Sequence, residues 1–335
     1  MQINVCIFGV SGYTGAQLIH FLVKHKFVKI TGIFGYETIG QKIRDFFPSH
    51  INIPDLTISN YSDFNFDNVD LIFSCLPHGK FQSSIINRLK ENISIIDLSG
   101  DFRLDDLSLY EDFYGIKHKS KDINSKFVYG LSEVYKKEIK KAKFIANPGC
   151  YPTSILLPLA PLIKKNIINN QHIIIDSKSG VSGAGKKLEV KNLFSEINEN
   201  FYSYGITKHK HYIEIDQEIS KLGKNTFSFI PSLVPVTRGL QSTIYFDKNE
   251  SVAFYKNVIK DFYKNEPFIK ILDKKCPSFS DVKYTNNLIL NVFEDYQKKK
   301  IIIISCIDNL VKGAAGQAVQ NMNLMYEFDE KESLV

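Results

Sequence analysis

Strand, turn and helix follow one another at the very start of the chain. INVCIFGV (3–10) is an apolar, β-branched-rich strand pattern, it runs into the turn GVSGYTG, and GAQLIHFLVKHK (15–26) sets Leu18, Phe21 and Leu22 on one side of a helix. VKITGIF (28–34) then reads as a second strand. Strand, helix and strand within about thirty residues make a βαβ unit. The turn holds Gly9, Gly12 and Gly15 in a GxxGxxG spacing. The first glycine permits a sharp turn, the middle one lets backbone approach a pyrophosphate, and the last lets helix pack closely on strand. The helix start adds N–H groups suited to an anion. Although GxGxxG is the more familiar spacing, the position between strand and helix favours a dinucleotide-binding turn over a structural one.

Further strands are expected at 69–74 (VDLIFS), 93–98 (ISIIDL) and 143–146 (KFIA), with helical stretches between them. That alternation predicts a doubly wound, mostly parallel sheet. After Cys150 the texture changes. Strand patterns at 172–177, 226–230, 242–246, 287–293 and 300–306 dominate, with helices at 250–264, near 212–221 and at 313–326. The expectation is an α/β protein: an N-terminal doubly wound Rossmann-type domain, then a mixed α+β domain with a largely antiparallel sheet.

The chain has 335 residues, room for two cores. Its formal charge of +6 is spread over lysines, as in KKEIKKAK (136–143), and no aromatic-interleaved basic stripe or nucleic-acid motif appears. Nucleic acid is therefore not an expected partner, whereas a mild positive field helps gather small anions. No apolar run reaches membrane-spanning length and no signal-peptide pattern opens the chain, so a cytoplasmic location is expected. Five scattered cysteines give neither a disulfide framework nor a metal-ligand pattern.

One of those cysteines stands apart. In ANPGCYPTSILLPLA, Cys150 lies between a Pro148-Gly149 turn and Tyr151-Pro152, where an apolar run begins. Pro152 suits a first helical position, and Pro158 and Pro161 should kink or end the helix early. A cysteine at such a helix start is favoured as thiolate, the nucleophilic form; the competing reading is a small buried hydrophobe beside a turn. A nucleophile needs an acid–base partner. His209 and His211 in HKH would share one face of an extended strand, and Glu214 follows closely enough to orient one of them. No third ligand stands at metal spacing, so no metal is expected. Arginine is scarce, so each one is a candidate anion fork. Arg103 in DFRL stands beyond a carboxyl end of the expected sheet, and Arg238 lies in VPVTRGL; either would also serve as a structural ion pair. SGVSGAG (179–185), ahead of a helical KLEVKNLF, reads equally as a ligand loop or a glycine-rich connection, and Asn309 has the reach for a carboxamide. Glu37, 22 residues beyond Gly15, has two readings as well. It either bonds a ribose 2′-OH, which selects NAD, or points to solvent.

Together GVSGYTGAQL, LPHG, LSGDFRL, NPGCYPT, SGVSGAGK, HKH, LVPVTRG and DNLVKGAAGQAVQ resemble the N-acetyl-γ-glutamyl-phosphate reductases of arginine biosynthesis, relatives of aspartate-semialdehyde dehydrogenase. The resemblance implies NADPH-dependent reduction of an acyl phosphate to a semialdehyde through a Cys150 thioester, with His211 as acid–base group. It implies substrate contacts from Arg103, Arg238, His209, Glu214, Ser179 and Gly180. Gly9, Ser11, Gly12, Tyr13, Thr14, Gly15, Pro77, Ser182, Gly183 and Asn309 are implied at the cofactor, NADP, with Glu37 leaving NAD open. It also implies a homo-oligomer, dimer or tetramer, and a last helix that returns to the nucleotide domain: 1–149 with about 313–335, against 150–312 for substrate and oligomerisation. The chain departs from the family pattern at Lys210 (often Arg), Ile213 (often Pro) and Ser232 (commonly His). A related acyl-phosphate reductase and a dinucleotide-binding redox sensor are the rival readings.

Overall fold

The computed structural model describes residues 2–46, 53–90, 92–186 and 188–335. The chain divides into two compact units, 1–148 with 314–335 and 149–313.

The first unit is built on a six-stranded sheet ordered β2-β1-β3-β4-β6-β5, where β1 is Ile3–Phe8, β2 Val28–Phe34, β3 Leu71–Ser74, β4 Ser94–Asp97, β5 Phe127–Tyr129 and β6 Phe144–Ala146. Every neighbouring pair is parallel. Parallel sheets are covered on both faces, which is why β1 and β3 are buried almost throughout instead of at alternate residues. Ile3, Val5, Cys6, Ile7 and Phe8 are all buried, and Phe8 packs on Phe34 with ring centroids 4.6 Å apart. Because the strands run the same way, the loops after β1, β3 and β4 leave from one edge. That edge collects the glycine turn, Leu76–Gly79 and 98–104, the usual ligand edge of such sheets. The closing helix, Gly316–Met325, belongs to this unit. Its Asn321 Nδ2 donates to the Gly130 carbonyl at 2.8 Å, its Oδ1 accepts from Ser132 Oγ at 2.8 Å, and Asn323 Oδ1 meets His25 Nε2 at 2.9 Å. Gly130 is required there, since a Cβ would meet Asn321 Nδ2 at 2.6 Å.

The second unit carries a seven-stranded sheet ordered β11-β12-β13-β10-β7-β9-β8. Its strands are β7 His172–Gly180, β8 Tyr202–Ser203, β9 Thr226–Val234, β10 Leu240–Asp247, β11 Ile269–Ile271, β12 Leu288–Glu294 and β13 Lys300–Ile307. Pairing is antiparallel except at β11·β12 and β7·β9. Packed with it are the helices Cys150–Lys164, Lys210–Leu222 and Val252–Phe262.

Three local expectations are corrected. The helix from Cys150 neither ends nor breaks at its prolines; it runs to Lys164 with Tyr151 through Ile163 buried. Pro161 cannot donate to the Leu157 carbonyl one turn back, but Tyr263 Oη donates to it at 2.7 Å. Pro152 is the third helical residue instead of the first, a place where the missing N–H is equally harmless. Residues 188–197 hold only a 3₁₀ turn, Val190–Asn192, and the short helix Phe194–Ile197, in place of a helix over KLEVKNLF, whose Lys187 lies outside the described residues.

Candidate active site

The three glycines of the first unit separate into two kinds. A Cβ on Gly9 would stand 2.6 Å from the Cys75 carbonyl oxygen, and one on Gly15 would stand 2.3 Å from that of Gly9. Gly9 also holds φ +80, in the region that favours glycine. A Cβ on Gly12 meets only the Gly9 carbonyl oxygen, at an ordinary 3.5 Å. Inside the protein, then, Gly12 has no packing reason to be glycine. Gly12 begins the helix Tyr13–Leu22 without a side chain to cap it. Tyr13 and Pro77 are exposed, and Ser11 and Thr14 stand in the same turn and first helical turn. Open space beside a backbone glycine at a helix start suits the close approach of a pyrophosphate.

At the same sheet edge Gly79 N–H donates to Asp101 Oδ1 at 2.8 Å, and Tyr110 Oη donates to the same oxygen at 2.7 Å. Arg103 is buried, and its Nη2 donates to the Leu98 carbonyl at 2.8 Å. Burial, and then the neighbouring Asp101, push the Asp97 carboxyl well above its usual range, while the Arg103 charge pulls it back. Glu37 is exposed in the turn after β2. Lys42 and Arg44 lie 3.5 and 3.8 Å from Asp55.

In the second unit Cys150 is the first residue of its helix, after Gly149. His209 and His211 are not on a strand. His209 caps the helix Lys210–Leu222 through Nδ1, which accepts from the His211 N–H at 3.1 Å, and His211 lies in that helix's first turn. The two rings still approach, with centroids 5.0 Å apart. His211 is laid against the backbone next to the cysteine: a Cβ on Gly149 would stand 2.4 Å from His211 Nε2. One helical turn on, buried Glu214 accepts from the Gly149 N–H at 2.8 Å, tying the histidine helix to the start of the cysteine helix. Gly313 leaves room on the other side, since its Cβ would meet Cys150 Cβ at 2.7 Å.

An aromatic wall completes this half. Tyr151 Oη donates to the Ser232 carbonyl at 3.2 Å and lies 3.2 Å from Tyr204 Oη. Burial pushes both phenols far up, so they stay protonated. Burial, with Lys210 adding to it, lowers His209 to about 4, leaving its imidazole neutral. Ser232 is buried with its hydroxyl 2.9 Å from that of Ser203, so the small residue is accommodated within the sheet. Ile213 is buried in the first turns of the histidine helix.

Asn309 is committed to the protein. Its Nδ2 donates to Ser182 Oγ at 2.9 Å and its Oδ1 accepts from Gly239 N–H at 2.9 Å. It pins the 181–184 turn to the 236–239 segment, where Val181 and Ser182 N–H also donate to Val236 and Thr237 carbonyls. Ser179 Oγ donates to Gly180 O, and a Cβ on Gly183 would meet that Oγ at 2.8 Å. Gly180 is equally confined, since a Cβ there would stand 2.8 Å from the Thr237 backbone. Arg238 Nη1 stands 3.4 Å from Asp308 Oδ2 and its guanidinium lies 4.9 Å from the Tyr284 ring centre. Gly149 and Tyr151 stand out in the sequence only as neighbours of Cys150, and Tyr204, Gly313 and Asp308 do not stand out at all. Only NPGC, by placing a glycine before the cysteine, gave a signal.

Comparison with known proteins places this geometry. Residues 4–142 match the family model described as semialdehyde dehydrogenase, NAD binding domain, and residues 150–309 match semialdehyde dehydrogenase, dimerisation domain. The chain is 44% identical over 340 residues to a probable chloroplastic N-acetyl-gamma-glutamyl-phosphate reductase of Arabidopsis thaliana, covering 100% of this chain and 84% of that protein. It is 42% identical to the N-acetyl-gamma-glutamyl-phosphate reductase of Methanocaldococcus jannaschii, covering 99% and 97%. The chain belongs to the N-acetyl-gamma-glutamyl-phosphate reductase family. As a member of that family it is an oxidoreductase with a domain for a nicotinamide dinucleotide. Among solved structures, aspartate semialdehyde dehydrogenase II of Vibrio cholerae, 19% identical, superposes with a TM-score of 0.76 over 98% of this chain and 99% of that one. The chain therefore shares that fold. Among the described residues no helix is long and apolar enough to cross a membrane, and no cluster of three or more metal-ligating side chains occurs.

Proposed function

We propose that the protein reduces N-acetyl-γ-glutamyl phosphate to N-acetylglutamate semialdehyde with release of phosphate, the step that its relatives' name describes. The observation carrying this reading is the placement of His211 Nε2 against Gly149, beside Cys150 at a helix start. The positive helix end favours a thiolate there. That thiolate adds to the γ-carbonyl and phosphate departs, leaving a thioester on Cys150. Gly9, Gly12 and Gly15 would hold a reduced nicotinamide dinucleotide, which would supply the hydride that brings the acyl group to the aldehyde level. His211 protonates the resulting oxyanion of the thiohemiacetal, then accepts the proton as the C–S bond breaks and the aldehyde leaves. Glu214 and Gly149 hold the histidine helix to the cysteine helix through this cycle. Arg238, set by Asp308 and Tyr284, is the fork for a substrate anion.

The bound dinucleotide is NADP in this reading. Glu37 is exposed in its turn, free to swing into water, with Lys42 and Arg44 a few residues on. The matched dimerisation domain supports a homo-oligomer. The test is phosphate-dependent reduction of NADP+ by N-acetylglutamate semialdehyde, run beside aspartate semialdehyde. Faster turnover of the N-acetylated substrate is expected. Preference for the free amino substrate would move the protein to the related reductases. Dinucleotide binding with no turnover of either would make it a sensor.

A further inference from the structure

We infer that His209 is a positioning residue: its imidazole caps the helix Lys210–Leu222 and so sets His211 beside Cys150, touching neither substrate nor proton. The inference deepens the proposed function and rests on His211 being its acid–base group. It replaces the substrate contact that the family resemblance implied for His209.

Three observations carry it. First, Nδ1 of His209 accepts from the His211 N–H at 3.1 Å, the bond of an N-cap side chain. An accepting Nδ1 carries no proton, so the neutral ring must be the Nε2–H tautomer. Second, the ring is wedged. Its centroid lies 5.5 Å from that of Tyr151, 5.3 Å from Tyr204 and 5.6 Å from Phe229, and a Cβ on Gly205 would meet its Cδ2 at 3.2 Å. A group held this way is fixed in place, where a general acid would need access to the reacting atoms. Third, the residue it caps is His211 itself, in the turn whose Glu214 is tied to Gly149. A frayed first turn would therefore move the acid–base group directly. The titratable groups facing the His209 ring are Tyr151 and Tyr204 from the packed elements and Lys210 and His211 from its own. None is an acid that would draw a proton onto it, in keeping with its low proton affinity.

Conservative replacement separates the roles. Asparagine places Oδ1 close to the position of the imidazole Nδ1 and is among the best caps; alanine cannot cap. His209→Asn should keep kcat within about threefold, whereas His209→Ala should lose roughly tenfold to a hundredfold in kcat with KM little changed, the scale of a misplaced catalytic group. Equal, large kcat losses in both variants would overturn the proposal in favour of acid–base work by His209. A KM rise shared by both would overturn it in favour of a substrate contact. His211→Asn is run alongside: a silent His211 variant sinks the proposed mechanism, not the cap. A readout independent of activity is histidine-labelled ¹⁵N NMR of the unaltered protein. It should show His209 as the Nε2–H tautomer, uncharged at neutral pH. A protonated Nδ1, or titration near the ordinary 6.5, would contradict the cap even if His209→Ala fails to fold.

Discussion

Gly149→Ala tests the geometry next to the cysteine with one methyl group. Gly149 has φ −70 and ψ 159, a conformation that alanine adopts without strain, so the backbone gives no reason for glycine. The new Cβ would instead stand 2.4 Å from His211 Nε2, 2.7 Å from its Cδ2 and 2.9 Å from its Cε1. Ordinary contact begins near 3.4 Å, so the ring must retreat by the difference, about 1 Å. Because an imidazole is the movable end of a side chain, it retreats without dismantling the fold. A misplacement of about 1 Å at a catalytic group costs on the order of 10²-fold in rate. We therefore expect kcat to fall about a hundredfold while thermal stability and dinucleotide affinity stay close to those of the parent. Steady-state kinetics with a thermal melt and a dinucleotide titration measure all three. Near-parental kcat in a folded Gly149→Ala protein would refute the placement of His211 as acid–base group.

Other expectations follow from the same structure. Iodoacetamide should modify Cys150 and exposed Cys276 well before Cys6, Cys75 and Cys306, whose thiols burial pushes up, to about 12 for Cys6 and Cys306. In a Cys276→Ser background, label on any residue other than Cys150 would oppose helix-start activation, as judged by peptide mass mapping. Tyr263→Phe strands the buried Leu157 carbonyl that Pro161 cannot serve, and should lower stability by about 1–3 kcal/mol in urea unfolding. Acid should weaken the fold through His209. Burial depresses its folded pKa to about 4 from 6.5, so the unfolded chain binds the proton first and stability falls as pH drops from about 6.5 to about 4. His209→Asn should flatten that part of the stability–pH curve, and an unchanged curve would contradict a neutral ring. NADPH should bind more tightly than NADH in separate titrations; tighter NADH binding that reverses in Glu37→Ser would show an inward Glu37 selecting NAD.

The sequence disclosed what depends on period and on backbone demand. β1, β2 and the glycine turn were legible because two β-branched-rich runs around three spaced glycines admit few structures. The three short strands β5, β8 and β11 were missed, being two or three residues long and too short to show a period. Pro158 and Pro161 misled for the opposite reason. Local propensity argued for a break, and a fully buried helix with a tyrosine hydroxyl from elsewhere overrode it. HKH suggests a strand because histidine is not among the usual caps, so nothing local marks a helix start at Lys210. For Arg103 and Asn309 the sequence shows a polar group without its partners. Leu98 and Asp97 for the arginine, and Ser182 and Gly239 for the asparagine, are visible only in three dimensions.

Reduction by this route requires a covalent acyl group at Cys150. The direct measurement is mass spectrometry of the protein mixed with N-acetyl-γ-glutamyl phosphate and no dinucleotide, so that the acyl-enzyme accumulates. One N-acetylglutamyl group should appear on the peptide carrying Cys150, labile to hydroxylamine as a thioester is, with phosphate released in equal amount and no adduct in Cys150→Ser. An adduct on another residue, or an unmodified Cys150 in a protein that still turns the substrate over once NADPH is added, would contradict it.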